Sequence, residues 1–266
     1  MIKKFKHGDI QCVKATVTFL KFNINVYLYF VDGLLIDTGP RHAKKSLIPI
    51  LENLPISQVA LTHHHEDHIG LGSWIETHLS KPIYIHQSGI ENCQQSGSLP
   101  FYRKVFWGQS ESFNPSPIPG IIETENYQFE VIHTPGHAHD HSVLFNKEKG
   151  LLFGGDLYVA PRPKSMFSFE SVPVLMNSIR KVLEYDFSTL YCSHAGVLIN
   201  GKKHLATKLQ YLEDIDGQVK RLHQKGMSVK EIQKELFPKF HSMHILSGFE
   251  NSPTHMVNSI LNNEKD

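Results

Sequence analysis

The sequence predicts an α/β fold followed by a helical tail. Short apolar, β-branched stretches alternate with helix-period stretches through the first 200 residues. Gly, Pro, Asp and Asn punctuate them, and from residue 202 only helical patterns remain. The expected division is a main domain over 1–200 and a helical C-terminal extension over 201–266.

Residues 12–20 carry Val13, Ala15, Val17 and Phe19 in alternation, the pattern of a strand with one buried face. Residues 23–31, rich in Tyr, Phe and Val, give a second strand. Asp32-Gly33 signals a hairpin turn into Leu34-Leu35-Ile36. Asp37-Thr38-Gly39-Pro40 ends that strand, and 42–53 reads as a helix with Leu47, Ile50 and Leu51 on one side. Val59-Ala60-Leu61 is a short buried strand that delivers the chain into Thr62-His63-His64-His65-Glu66-Asp67-His68.

A helix over 69–79 and a strand over 82–86 follow. Residues 87–120 are polar, aromatic and proline-rich and read as a short helix plus a long loop, a length at which loops usually carry function. Strands are expected at 127–132, 142–145, 150–153 and 189–192, with a helix at 171–184. The tail reads as a helix over 203–224, a second behind the capping box Ser228-Val229-Lys230-Glu231, and a last one from Ser252-Pro253 to about 263.

The bulk numbers exclude several classes. Hydrophobic residues at 40%, charged residues at 20% and a formal net charge of +1 describe an ordinary globular chain without the basic excess of a nucleic-acid binder. A local basic patch, drawn from Lys202, Lys203, Lys208 and the tail, stays open. No apolar run reaches the roughly 20 residues of a membrane span. Residues 1–9 lack the h-region of a signal peptide, and Cys12, Cys93 and Cys192 lie too far apart for a disulfide framework or a Cys-x-x-Cys site, so a cytoplasmic protein is expected.

Histidine is the outlier: there are 18, and they cluster. Imidazole is the commonest nitrogen ligand for zinc-like ions. His63-x-His65-x-Asp67-His68 follows one expected strand, and His137, Asp156 and His194 follow three more, which is where sheet enzymes assemble sites. Alternation puts His63 and His65 together, with Asp67 and His68 turned to a second centre. A His-x-His-x-Asp-His window arises by chance in about three chains per thousand of this composition.

These residues closely resemble the signature of the metallo-β-lactamase superfamily: the first motif, then Thr134-Pro135-Gly136-His137, Gly154-Gly155-Asp156 and Ser193-His194-Ala195-Gly196. Asp37-Thr38-Gly39 matches its early Asp-x-Gly element, and the resemblance covers about residues 12–200. It implies a four-layer αββα sandwich over the catalytic domain, with His63, His65 and His137 on one metal, Asp67, His68 and His194 on a second, and Asp156 bridging. Asp at 156, where common zinc β-lactamases carry Cys, matches the glyoxalase II-like, lactonase-like and nuclease branches. Ser193-His194-Ala195-Gly196 departs from the usual Gly-His-Gly.

The expected cofactor is a pair of divalent ions, Zn2+ first, with Fe and Mn acceptable to the same donors. The expected activity is hydrolysis of a small ester, thioester or lactone by a metal-bridging hydroxide. The catalytic candidates are Asp67, relaying a proton to the leaving group, and Asp37, accepting a hydrogen bond from a ligand histidine. The alternatives are a phosphodiesterase or nuclease, a diiron redox protein and a metal-binding scaffold. The expected partner is a small molecule, not a membrane; nucleic acid stays open, and a second copy of the chain is a candidate partner. His64 and Glu66 are expected to face away. His139 and His141 are read as second-layer or solvent-facing. Phe101, Tyr102, Phe106, Trp107, Tyr158, Phe167 and Phe169 either wall a pocket or form a satellite apolar cluster.

Overall fold

The computed structural model describes residues 1–19, 22–95, 99–239 and 242–262. Among them, one sheet runs β1 (Ile2–His7), β2 (Ile10–Phe19), β3 (Phe22–Val31), β4 (Leu34–Ile36), β5 (Gln58–Ala60), β6 (Ile83–Ile85) and β7 (Ser116–Pro117) in spatial order. The β1 to β4 pairings are antiparallel and those from β4 to β7 parallel. The helices α1 (Lys44–Leu51), α2 (Glu66–Ile69), α3 (Gly72–Trp74), α4 (Ile90–Gln94) and α5 (Phe101–Trp107) occupy its connections.

The second half supplies β8 (Ile121–Glu123), β9 (Gln128–His133), β10 (Ser142–Asn146), β11 (Leu151–Gly155), β12 (Met166–Phe167), α6 (Val172–Leu183), β13 (Thr189–Cys192) and β14 (Gly196–Ile199). After these come α7 (Gly201–Gln224), α8 (Val229–Leu236), α9 (Ser242–Leu246), β15 (Asn251–Ser252) and α10 (Pro253–Asn262). The second sheet has the order β14-β13-β11-β10-β9-β8, and β12 pairs with β15 apart from it.

Side-chain alternation stacks these into four layers. Tyr29, Val31, Leu34 and Ile36 point from the first sheet toward Phe129, Leu144, Phe153 and Tyr191 of the second. Their neighbours Leu28, Phe30 and Leu35 point the other way, onto Leu47 and Leu51 of α1. On the far side of the second sheet, Val143, Leu152 and Leu190 meet Ile179 of α6, Leu205, Leu212 and Val219 of α7, and Val257 of α10. Each such side chain contributes about 2 kcal/mol on burial, so a one-residue slip of β3 would expose a whole face. The expected αββα sandwich with C-terminal helices is the one observed.

Local chemistry explains most boundaries. Asp32 and Gly33 both have positive φ, at 47° and 83°, which is the type I′ turn closing Val31 onto Leu34. The box at Ser228 is complete: its hydroxyl accepts from the Glu231 backbone N–H, and the Glu231 carboxylate accepts from Ser228 N–H. Several elements differ from expectation, among them the short strands β7, β8 and β12, the helix α9, and β15, which interrupts a tail expected to be wholly helical. The single helix expected at 69–79 is broken into α2, α3 and a π-turn at Ile75–Leu79. β1 and β14 were not expected; β1 is a mostly charged edge strand, and β14 carries the chain from Ala195 into α7. The expected ends at 20 and 263 lie outside the described residues.

Candidate active site

Each candidate donor follows a strand end. β5 ends at Ala60 before His63, β9 at His133 before His137, β11 at Gly155 before Asp156, and β13 at Cys192 before His194. Two glycines make the approach feasible. A Cβ on Gly136 (φ 128°) would lie 2.5 Å from the backbone of Leu175 in α6, and one on Gly155 (φ 49°) would meet His141 Nε2 at 2.7 Å.

All seven candidates converge. His65 Nδ1 lies 3.0 Å from both His63 Nε2 and His137 Nε2. Opposite, His194 Nε2 lies 3.2 Å from Asp67 Oδ2 and 3.1 Å from Asp156 Oδ2, and His68 Nε2 lies 3.7 Å from each of these oxygens. Asp156 Oδ2 also lies 3.4 Å from His137 Nε2, so one oxygen reaches both groups. Asp67, His68 and Asp156 are buried, and His63 is fully so.

The outer hydrogen bonds fix which nitrogen faces inward. A carboxylate or carbonyl oxygen can only accept, so its imidazole partner donates. His68 Nδ1 donates to Asp37 Oδ2 at 2.7 Å, His194 Nδ1 to the Asn25 carbonyl at 2.7 Å, and His137 Nδ1 to Glu170 Oε1. Thr62 Oγ1 donates to Asp37 and thereby accepts from His63 Nδ1 at 3.0 Å. The inward nitrogens of these four are therefore the ones that can offer a lone pair to a metal ion once any proton on them has left.

This arrangement fits metal ions. Lone pairs facing one another at 3.0 Å repel unless a cation or proton lies among them, and four ligands at 2.0–2.1 Å from zinc stand about 3.3 Å apart. Among the described residues, His68 Nε2 and Asp156 Oδ1 are buried with no hydrogen-bond partner. The donor triplets His63/His65/His137 and Asp67/His68/His194 each bring one atom per residue within 4.8 Å. Burial opposes a charge on Asp156, but His194 and His68 outweigh it and hold the carboxyl well below its ordinary range. Burial likewise opposes protonation of His68, yet Asp37, Asp67 and Asp156 hold it well above an ordinary imidazole. His63 and His65, buried and facing other imidazoles, are pushed well below.

The family model described as the metallo-beta-lactamase superfamily matches residues 22–194, which include every one of these donors. The chain belongs to the metallo-beta-lactamase superfamily. It is 24% identical to "Probable metallo-hydrolase YqjP" of Bacillus subtilis (strain 168), over 93% of this chain and 91% of that protein. It is 32% identical to a hydroxyacylglutathione hydrolase of Xylella fastidiosa (strain 9a5c), over 64% of this chain and 58% of that one. The fold matches a metallo-beta-lactamase family protein from Thermus thermophilus with a TM-score of 0.70 at 19% identity, covering 97% and 95% of the two chains. A beta-lactamase domain protein from Burkholderia ambifaria matches with a TM-score of 0.73 at 17% identity, covering 98% and 88%. As a member of this superfamily the protein is a metal-dependent hydrolase with a His/Asp metal-binding cluster.

The remaining candidates separate clearly. His64 turns away and donates from Nδ1 to buried Asp140 at 2.7 Å. Glu66 accepts from Arg103 at 2.7 Å, and Arg103 also reaches Glu250 at 3.3 Å. His141 is fully buried behind the site, where its Nε2 accepts the Asp156 backbone N–H at 3.0 Å; burial and neighbouring His137 push its pKa down to about 3. His139 is exposed. Tyr102, Phe106, Trp107 and Phe167 wall a cavity of about 200 Å3 over the donors, closed by Ile24, Arg103 and Asn251. Tyr158 instead sits in the core beside α7, and Phe101 is 81% exposed. Lys208 cannot serve a surface basic groove: it is buried, and its Nζ donates to the carbonyls of Leu157 and Tyr158 at 2.8 Å.

Sequence reasoning missed Glu170, Thr62, Arg103 and Glu250. No spacing signal marks the first and last, because their partners lie 33 and 147 residues away in the chain.

Proposed function

We propose that the protein is a dinuclear hydrolase of small carbonyl esters, thioesters or lactones. The observation that carries this reading is Asp156 Oδ2, which lies within 3.4 Å of a nitrogen in each donor group and so can serve two ions at once. His63, His65 and His137 would hold one ion, and Asp67, His68 and His194 the other. When bound, such a pair supplies an acidified water and a Lewis acid for the substrate oxygen.

The chain's own residues do the rest. Asp37 and Thr62 hold His68 and His63 in the tautomers whose lone pairs face inward. Asp67 Oδ2, beside His194 Nε2, is placed to take a proton and pass it to the leaving group. Tyr102, Phe106, Trp107 and Phe167 exclude water from the reacting carbonyl. These aromatic walls favour a carbonyl substrate over a phosphodiester, which calls for unpaired cations, whereas Arg103 is already shared by two carboxylates. One relative is named a hydroxyacylglutathione hydrolase, and another, of Claviceps purpurea (strain 20.1), an atrochrysone carboxyl ACP thioesterase.

The test is a panel on metal-loaded protein: a lactone, a thioester, a β-lactam and bis-p-nitrophenyl phosphate. Ester-class turnover that His63→Ala abolishes is the expected result. Turnover of the phosphodiester alone would overturn the assignment.

A further inference from the structure

A second group of ligand-type side chains lies behind the first motif, on the side to which His64 turns. His64 Nδ1 donates to Asp140 Oδ1 at 2.7 Å. The His139 ring packs against that of His64, with centroids 4.9 Å apart. One ligand atom from each of His64, His139 and Asp140 lies within 4.8 Å of the others, as in the donor triplets of the candidate active site. None of the three belongs to those triplets.

Local bonds hold the group in place. His139 Nε2 donates to the Ser88 carbonyl at 3.1 Å, so in the neutral ring Nδ1 carries the lone pair. His133 Nε2 donates to the His139 carbonyl at 2.8 Å and fixes that stretch of backbone. Gly89 leaves room for the carboxylate, since a Cβ there would lie 2.1 Å from Asp140 Oδ2.

Asp140 is the residue that calls for a cation. It is fully buried, and its Oδ2 has no hydrogen-bond partner. Among the described residues its ion-pair partner is His64, and no lysine or arginine reaches it. Burial opposes its charge, yet His64 and His139 hold the carboxyl below its ordinary range. A buried carboxylate with one oxygen unmet costs stability until a positive charge comes to it. The group is also reached from solvent: His139 is exposed, and with His64 it lines a cavity of about 370 Å3.

We propose that His64, His139 and Asp140 form a mononuclear site for a zinc-like divalent ion, separate from the paired donors. Two imidazoles and a carboxylate are the donor set of open zinc sites, which leave a position for water. Magnesium, which keeps to oxygen ligands, does not suit it. The bound ion gives Asp140 its full counter-charge. It also ties the first motif to the loop after β9, the two segments that supply His63, His65 and His137. Its role is to brace those donors, not to touch substrate.

The test is zinc stoichiometry of the full-length protein, measured by plasma mass spectrometry after equilibrium dialysis at fixed free zinc. His139→Ala is expected to bind one equivalent fewer than the wild type. His139→Gln, whose amide still donates to the Ser88 carbonyl but ligates zinc poorly, should lose the same equivalent. Isothermal titration should show that event weakened by at least about 10–100-fold, the loss found when only a group behind a ligand is removed. The difference between proteins decides, not the total. His63→Ala, which strikes the paired donors, should lose one further equivalent when His139→Ala is added. Equal stoichiometry in the wild type and both His139 variants overturns the proposal. So does a loss in His139→Ala that is absent in His139→Gln, which assigns His139 the bond to Ser88 alone. A wild type that binds a single, His139-dependent equivalent supports this site while overturning the dinuclear reading.

Discussion

Asp37 Oδ2 lies 2.7 Å from His68 Nδ1, with both side chains buried and the Asp37 backbone in the left-handed region at φ 59°. A non-glycine residue held there carries strain that the surrounding contacts must offset. The same carboxylate accepts from Thr62 N–H and Thr62 Oγ1, so it orients one histidine directly and His63 through a hydroxyl. Asp37→Asn keeps the shape but offers an amide that can donate, which frees His68 to turn or change tautomer. Metal affinity is expected to fall about 10–100-fold. Isothermal titration with zinc checks this, and unchanged affinity would refute the positioning role.

Metal uptake should depend steeply on pH. Asp37, Asp67 and Asp156 hold His68 well above its ordinary pKa against the opposing effect of burial, and Asp156 with Asp67 does the same for His194. An entering ion must displace those protons, so affinity falls as pH falls, by about tenfold per unit for each proton displaced. Equilibrium dialysis from pH 8 to pH 5 measures the slope; a flat profile would contradict it.

Arg103 ties α5 to the first motif through Glu66 and to the chain ahead of β15 through Glu250. Arg103→Ala strands a buried carboxylate that burial already pushes up in pKa. Removing one partner of a buried pair costs about 3–5 kcal/mol. Urea denaturation is expected to show a loss of that size. Arg103→Lys should recover only part, because an ammonium lacks the planar fork that spans two carboxylates.

Lys208 sets a second pH dependence. Burial, the largest influence, pulls its pKa from 10.5 down to about 8. The unfolded chain therefore binds the extra proton between about pH 8 and 10.5, and this group's contribution to stability is fully present above the upper value and lost as pH falls through about 8. Lys208→Met abolishes that component and deprives two buried carbonyls of a donor. The difference in unfolding free energy between wild type and variant should therefore widen from pH 7.5 to pH 10.5, in favour of the wild type. A difference constant across that range would show that Lys208 does not titrate as its burial requires.

The parts of this molecule legible in the sequence are those governed by local rules. Alternation in 12–20 and 23–31, the positive-φ pair Asp32-Gly33 and the capping box at Ser228 act over a few residues, and all appear where expected. The seven candidate donors were visible because four crowd into one short motif and the rest each follow a strand. What was hidden depends on contacts far apart in sequence. Glu170 reaches the site only because α6 packs on Gly136 and brings the preceding loop to His137. The aromatic segment was ambiguous for the same reason: Tyr102 and Trp107 face the cavity while Phe101, on the same helix, faces solvent. The expected helix at 69–79 breaks at Gly70, where tertiary packing is tight: a Cβ there would meet the Arg41 backbone nitrogen at 2.3 Å.

The pairing of β12 with β15 makes the cavity depend on two distant stretches of chain. Asn251 and its partner Phe167 both line it, so loss of the segment around β15 would remove one wall residue and the backing of another while every candidate donor, the last being His194, stays in the chain.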